Sequence, residues 1–336
     1  MHNNYVRGIK YRLLFATAIG GAAIVAACSS PGPMSPAVSE IRFSTVAPDT
    51  QPSATPTPYA FKFTTLDDPH STSYTRIYGL DDLAQVVGVT KINGGNDTSG
   101  FTSSAPYESY DGVVYPGATS TAVTSVNPAG RVLAGYFVKD GSTWGFIRDR
   151  GLWTEYRDGD TPKGEGSVNK LMGINDNAIA VGFYADTQKR DHAYELADRR
   201  FVNIVPPNSV NVVAASVTLA GNVAGTATLK NGSVEGWLLR SGNYTLVTYP
   251  GASKTEINGM SDGLSSNLLV GSYSNAKGTH GFILRSAGGN AVWQSVDEPN
   301  AKNFTVITGM NNHHVICGWY VDAAGHNHGF VGTVPE

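Results

Sequence analysis

Short hydrophobic runs recur along most of the chain, separated by glycine, proline, asparagine and aspartate. Runs of four to eight residues between such turn formers are typical of β-strands. Some, such as residues 131–136 (RVLAGY), are apolar on both faces, as in a strand packed between two neighbouring sheets. Others are aromatic or β-branched and end at proline, as in residues 244–250 (YTLVTYP). The pattern predicts an all-β fold.

These runs belong to a repeated unit. The clearest copies are residues 173–184 (GINDNAIAVGFY) and 309–320 (GMNNHHVICGWY), and aligning them reveals four more. One glycine recurs in every copy, and a small residue followed by an aromatic one comes ten to twelve residues later. We call these the repeat glycines: Gly88, Gly135, Gly182, Gly225, Gly271 and Gly318.

Each copy contains four strand-like segments, and a four-stranded unit of about 46 residues is typical of a β-propeller blade. The sixth copy ends after its third strand, whereas a strand-like segment precedes the first copy and leads into LDDP at 66–69, which matches VDEP at 296–299. We therefore predict a six-bladed β-propeller over residues 59–336, whose last blade is completed by the N-terminal strand, leaving no open sheet edge. An open β-solenoid is the alternative, but it gives the displaced strand no role.

The first 28 residues follow a different pattern. A basic segment precedes residues 13–27, which are uncharged, apolar and too short to span a bilayer comfortably as a helix. This arrangement predicts a signal peptide at residues 1–27. It ends in VAAC at 25–28, which resembles the bacterial lipobox and implies cleavage before Cys28 and lipidation of that residue. The alternative is an ordinary secretory signal with a chance cysteine.

Residues 28–58 are rich in proline, serine and threonine, a composition that favours an extended tether over a packed domain. Several acyl chains on Cys28 would hold the protein stably at a membrane. Ser29 follows the cysteine, and the absence of aspartate there favours the outer membrane or cell surface. Since Cys28 would carry lipid, Cys317 has no disulfide partner.

The composition of the chain limits the classes of molecule that it is expected to bind. Charged residues make up 15% of the chain, and the formal net charge is −3. Nucleic-acid binding needs a basic face or stripe, so we predict no nucleic-acid partner. We expect a monomer.

The phased combination of Gly-Ile-Asn, an aliphatic pair with Gly-x-Tyr, and His-Ala-Phe resembles the extracellular HAF-repeat family of bacteria. The triplets HAY, HGF and HGF begin at His192, His280 and His328. The resemblance covers residues 59–336 and implies an exported repeat protein of unassigned activity. It supplies no catalytic residues.

Several motifs suggest chemistry, but each has a simpler interpretation. GMSDG at 259–263 fits the G-x-S-x-G hydrolase motif, yet it occupies a strand-to-strand turn where a hydrolase needs a strand-to-helix turn. Cys317 takes a position that is alanine or valine in the other copies, so we expect a buried, inert thiol. Acidic residues before the prolines, such as Asp67 and Asp297, are predicted turn formers.

A histidine that recurs at the same position in several blades is expected to have a structural role. His326 and His328, with His313 and His314, are candidate ligands for zinc or copper. They come from different turns with no carboxylate evident nearby, so we predict no metal site and no cofactor.

The first strand of each blade should line the central channel. At one aligned position of this strand, the first, third and fifth copies carry a charged side chain. These residues are Arg76, Lys170 and Glu256. We hypothesise that these three bind an anionic or polyhydroxylated ligand at the channel mouth, Arg76 in a bidentate manner. The alternative is that they only solvate the entrance.

These observations predict a lipid-anchored cell-envelope or surface module that binds a glycan, peptide or protein, with no assignable catalytic activity. The alternative is a propeller enzyme acting on carbohydrate or peptide at the central funnel, so whether there is catalysis stays open. An enzyme should bring two or three titratable groups together there, whereas a binding module should present an aromatic and polar groove.

Overall fold

The structure is a computed structural model that describes residues 57–92, 97–262, 268–287 and 290–335. Across these residues the regular elements are all β-strands, which confirms the all-β prediction. None of them belongs to a helix long and apolar enough to cross a membrane. The predicted signal peptide, Cys28 and the tether up to residue 56 lie outside the described residues.

The strands are short and follow the repeat. In chain order they are β1 Lys62–Leu66, β2 Thr75–Leu80, β3 Val86–Lys91, β4 Thr98–Ser103, β5 Asp111–Val113, β6 Ser120–Val126, β7 Val132–Lys139, β8 Ser142–Asp149, β9 Leu152–Tyr156, β10 Asn169–Ile174, β11 Ala180–Ala185, β12 Asp191–Ala197, β13 Arg200–Ile204, β14 Ser209–Val217, β15 Val223–Leu229, β16 Val234–Arg240, β17 Asn243–Val247, β18 Lys254–Met260, β19 Leu269–Asn275, β20 Gly278–Ala287, β21 Asn290–Val296, β22 Thr305–Met310, β23 Ile316–Val321 and β24 Asn327–Thr333.

The strands form antiparallel four-stranded units in chain order, beginning with β2–β5, β6–β9 and β10–β13. The units β14–β17 and β18–β21 share one sheet through a single parallel pair, Val234 with Lys254. The last sheet has the order β1-β24-β23-β22. The first strand of each unit contacts the first strand of the next, and β22 contacts β2, so the described units close a circle.

The N-terminal strand completes the last unit, as the sequence predicts. β1 pairs antiparallel with β24, with Lys62 opposite Thr333 and Leu66 opposite Gly329. The Leu66 side chain is buried, and the ring of Phe63 lies 5.6 Å from that of Phe330. The strand begins at residue 62, three residues later than the sequence pattern indicates.

A register shift interrupts the pairing of the first and second strands at the same place in every unit. We call the residues passed over there the bulge residues: Tyr78, Thr124, Met172, Ala215, Asn258 and Thr308. A Cβ added to any repeat glycine would lie 1.9–2.1 Å from a first-strand carbonyl oxygen, so only glycine fits opposite the bulge. This close approach explains why one glycine recurs in all six copies.

The residue after each bulge is glycine or serine because neighbouring first strands pack closely there. A Cβ on Gly173 would lie 2.7 Å from the carbonyl oxygen of Ala215. The hydroxyl oxygens of Ser125 and Ser216 accept hydrogen bonds from backbone N–H groups in the first strand of the next unit, at 3.3 Å and 3.2 Å. Neighbouring first strands are therefore crowded at this position.

The aromatic residue of each small-aromatic pair forms the core between neighbouring sheets. All six are at most 1% exposed: Phe101, Phe146, Tyr194, Trp237, Phe282 and Phe330. Burying one such side chain contributes roughly 1.5–3 kcal/mol. Cys317 is fully buried in the same layer, and burial raises the pKa of its thiol to about 12, which keeps the thiol protonated and unreactive.

Candidate functional site

The six bulge residues converge on a central channel and line two cavities within it. The cavity on the side of the Asn-rich turns has a volume of about 80 Å³, and we call it the turn-side cavity. The cavity on the opposite side has a volume of about 320 Å³, and we call it the wide cavity. The wide cavity is the one with room for a ligand fragment.

Hydrogen bonds between neighbouring turns surround the turn-side cavity. Asp262 Oδ1 accepts a hydrogen bond from the Leu219 N–H at 2.7 Å, and Asn311 Nδ2 donates to the Asp81 carbonyl at 3.0 Å. Burial raises the pKa of Asp262, and the Asp176 carboxylate adds to the rise. These polar groups are used to join the turns together.

The serine of the GMSDG motif lies in such a turn. Ser261 follows β18, and its hydroxyl oxygen accepts a hydrogen bond from the N–H of Leu268, the residue just before β19. The expected strand-to-strand turn is confirmed, which argues against a nucleophile elbow at Ser261. Gly263, the last residue of the motif, lies outside the described residues.

The wide cavity combines an aromatic surface with polar side chains. The rings of Phe304 and Trp319 lie 4.9 Å apart at 35° to each other. Lys254 Nζ forms an ion pair with Glu256 Oε1 at 2.8 Å. Hydroxyl groups also line the cavity, from Ser272, Ser274 and Thr279.

Arg76 supports the aromatic surface of the wide cavity. Its guanidinium lies 4.1 Å from the centre of the Trp319 ring and 4.9 Å from that of Tyr74. Its Nε and Nη2 both donate to Asn327 Oδ1, at 3.0 Å and 2.7 Å. Burial raises the pKa of Tyr78, and the charge of Arg76 offsets part of that rise. Arg76 therefore holds Trp319 in place through a cation–π contact.

Lys170 makes the corresponding contact in the third unit. Its Nζ lies 4.3 Å from the centre of the Tyr136 ring, which belongs to the preceding unit. Burial lowers the pKa of Lys170, and the nearby Asp191 carboxylate partly opposes that change. Lys170 is not among the residues that line the wide cavity.

The three charged residues singled out from the sequence thus have different surroundings. Glu256 lines the wide cavity, Arg76 packs behind one of its walls, and Lys170 covers an aromatic ring elsewhere. Among the described residues, no contact joins any two of the three. Trp319 is not among the predicted site residues, although its position is recognisable in the sequence. It directly follows a repeat glycine and pairs with Val306, which lies at the register of Arg76, Lys170 and Glu256.

The repeated histidines have similar partners in three units, although the aspartate follows β11 in the third unit and follows β21 or β1 in the other two. Each ring lies 5.0–5.2 Å from a tyrosine ring of the neighbouring strand and has a nitrogen within 2.9–3.0 Å of a carboxylate oxygen. The histidine, tyrosine and aspartate sets are His192, Tyr184 and Asp186; His280, Tyr273 and Asp297; and His328, Tyr320 and Asp67. The repeated histidines therefore pair with carboxylates of the repeat.

The premise that no carboxylate lies near the histidines of the last unit is also wrong. Asp322 Oδ2 lies 3.3 Å from His328 Nε2 and 3.6 Å from His326 Nδ1. His313 and His314 lie at the other end of β23, where the His314 ring packs against Tyr59 at 5.0 Å. The four histidines therefore do not form one group.

Solved structures with a similar fold were found at low sequence identity. TolB from Acinetobacter baumannii matches with a TM-score of 0.51 and 10% identity, over 75% of this chain and 64% of that one. A putative TolB from Agrobacterium tumefaciens matches with a TM-score of 0.50 and 12% identity, over 83% and 92%. A mutant of AofleA from Arthrobotrys oligospora gives 0.50 and 9%, over 81% and 86%.

The fold is a β-propeller. The likeness extends to the fold alone, because the identities are low. The chain spans a little under two thirds of the Acinetobacter protein. No protein-family model matches the sequence, and neither does any curated protein.

Proposed function

We propose that this protein is a lipid-anchored binding module of the bacterial cell envelope or surface, built as a six-bladed propeller of the HAF-repeat type. The proposed anchor is lipid on Cys28, followed by the tether at residues 28–58. The proposed binding site is the wide cavity, and the ligand class is a polyhydroxylated molecule, most simply a glycan.

One observation carries the proposal for the site. The Phe304–Trp319 pair and the Lys254–Glu256 ion pair face the same cavity, together with several hydroxyl groups. Aromatic faces pack against the apolar faces of sugar rings, while charged and hydroxyl side chains hydrogen-bond to sugar hydroxyls. Such a groove favours binding.

The same cavity gives little support to the enzyme alternative. Glycoside hydrolysis generally needs two carboxylates on either side of the scissile bond, roughly 5–9.5 Å apart. Among the residues that line the wide cavity in the described part of the chain, Glu256 is the one carboxylate, and it is paired with Lys254. We therefore propose recognition without hydrolysis.

The test is a glycan and peptide array probed with the full-length protein in detergent micelles. We expect a glycan to bind, and we expect Trp319→Ala to weaken binding by about 10-fold or more, because loss of an aromatic hot-spot residue typically costs over 1 kcal/mol. Arg76→Ala should weaken it less, since Arg76 acts on the ligand through Trp319. Lys170→Ala should leave the affinity unchanged, because Lys170 lies outside the lining of the wide cavity. Weaker binding by this variant would show that charge at the channel register contributes.

Leu152→Ala is the matched control, because Leu152 is 76% exposed on an outer strand away from the channel. Its affinity should equal that of the unaltered protein. Binding that survives Trp319→Ala, in a variant with an unchanged melting temperature, would show that the wide cavity is not the site.

Anchoring has its own test. Cys28→Ala is expected to abolish labelling with palmitate and to leave an uncleaved or soluble species in fractionated cells, because the thiol is the proposed acceptor of lipid. Ser29→Ala serves as the control and should be labelled normally. Mature, membrane-bound protein that takes up no palmitate would contradict lipid anchoring.

A further inference from the structure

A second chemical feature lies outside the channel, in the turn between β23 and β24. Asp322, His326 and His328 each present one ligand atom, and these atoms lie within 4.8 Å of one another. Ligand atoms bound tetrahedrally to one Zn²⁺ at about 2.0–2.2 Å lie roughly 3.3–3.6 Å apart. The Asp322 Oδ2 atom lies 3.3 Å from His328 Nε2 and 3.6 Å from His326 Nδ1, which matches that spacing.

The orientation of each group favours a shared ion. Asp322 uses Oδ1 to accept hydrogen bonds from the N–H groups of Ala324 and His326, both at 2.8 Å. This leaves Oδ2 directed at the two imidazoles. The His326 side chain is 67% exposed, so an ion could enter from solvent and retain a water ligand.

Asp67 orients His328 from the other side. Both oxygens of its carboxylate lie 2.9 Å from His328 Nδ1. A carboxylate that accepts the hydrogen of one ring nitrogen leaves the lone pair of the other nitrogen available, and metal-binding histidines commonly have such a partner. In the neutral ring, Nε2 of His328 then has its lone pair 3.3 Å from Asp322 Oδ2, and a cation between the two atoms takes the place of the proton that otherwise joins them.

In the third unit, Arg190 has the position that corresponds to His326, and Asp186 has the position that corresponds to Asp322. Asp186 also accepts two backbone hydrogen bonds on Oδ1, from Gln188 and Arg190. Its Oδ2 contacts His192 at 3.0 Å and Arg190 Nη2 at 2.8 Å. A permanent cation, the Arg190 guanidinium, thus lies where His326 stands in the last unit.

We propose that Asp322, His326 and His328 form a binding site for a divalent zinc-like metal ion, with Asp67 positioning His328. The ion takes the place that the Arg190 guanidinium has in the third unit. Because Asp67 directly follows β1 and the three ligands flank the β23–β24 turn, the ion also strengthens the seam where the N-terminal strand joins the last unit.

The experiment is a titration of full-length, untagged, chelator-stripped protein in detergent with ZnCl₂, followed by calorimetry and by thermal melting. We expect one Zn²⁺ per chain and a melting temperature that rises with zinc, as for any ligand that binds only the folded state. His326→Arg copies the third unit and should bind zinc at least about 100-fold more weakly. Asp67→Asn should weaken binding about 10–100-fold, the usual effect of removing a partner that orients a ligand.

His70→Ala is the control, since His70 also pairs with an aspartate, Asp68, but no second histidine lies beside it among the residues that the structure describes. It should bind zinc as the unaltered protein does. His326→Arg should melt like the unaltered protein in the presence of chelator, and His326→Gln provides a second exposed substitution if it does not. Absence of saturable binding, or binding in a folded His326 variant within about threefold of the unaltered value, would overturn the site. Unchanged affinity in Asp67→Asn would overturn the role of Asp67.

Discussion

Deleting residues 59–69 is expected to abolish the cooperative thermal melt of this protein. The deletion removes β1, so the backbone groups of β24 lose their partners along a pairing that runs from Lys62–Thr333 to Leu66–Gly329. An exposed edge of this kind also promotes association between chains. The loss should be visible by calorimetry and by a concentration-dependent increase in light scattering.

The expected effect is large because the deletion removes core side chains as well as hydrogen bonds. Leu66 is 3% exposed, and Phe63 packs against the buried ring of Phe330. Losing one buried side chain of this size typically costs about 2–5 kcal/mol, which is a large part of a total stability of about 5–15 kcal/mol. The last unit would keep only three of its strands.

Deletion of residues 29–55 is the control for the first truncation. The composition of this segment predicts a tether that does not pack, so the melt should match that of the intact chain. If the two truncated proteins melt alike, β1 does not contribute to the stability of the ring.

Gly182→Ala should destabilise the protein by about 3 kcal/mol or more, because overpacking against rigid backbone is at the costly end of core substitutions. The added Cβ would lie 2.0 Å from the Lys170 carbonyl oxygen and 3.0 Å from the Leu171 Cα. Both contacts are with backbone, so no side-chain rotation relieves them. Chemical denaturation measures the change in the free energy of unfolding.

Gly112→Ala is the matched control, because a Cβ at that strand glycine would meet only Ser99 Oγ, at 3.9 Å. Its free energy of unfolding should change by less than about 1 kcal/mol. Equal effects of the two substitutions would mean that the bulge opposite Gly182 adapts to a side chain.

The repeat made much of the fold predictable. Six copies of one glycine and one aromatic residue give the units, and the match between LDDP and VDEP gives the pairing of the N-terminal strand. The prediction of the fold succeeded because the six units share one pattern, so each copy supports the assignment of the others. The Cys317 position was predictable for the same reason, since five aligned copies show a small apolar residue there.

The site was less predictable because its contacts join units. The bulges have no side-chain signature of their own, so the sequence does not show that the bulge residues, such as Tyr78, line both cavities. The predicted register of Arg76 reaches the wide cavity at Glu256 and Val306. The cation–π contact of Arg76 with Trp319 links different units. The pairing of His328 with Asp67 lies within the last unit but joins residues 261 positions apart. A periodic pattern shows which positions correspond, but it does not show which positions of different units meet.

The pairing of β1 with β24 also determines the order in which the chain can fold. Lys62 and Thr333, which lie opposite each other, are 271 positions apart. At a synthesis rate of about 5–20 residues per second, the nascent chain carries its first strand for roughly 15–50 s before the partner strand exists. Contacts this distant in sequence also form slowly once both strands are present. The strand that is made first is thus among the last to be paired, and any prematurely terminated chain keeps an unpaired edge.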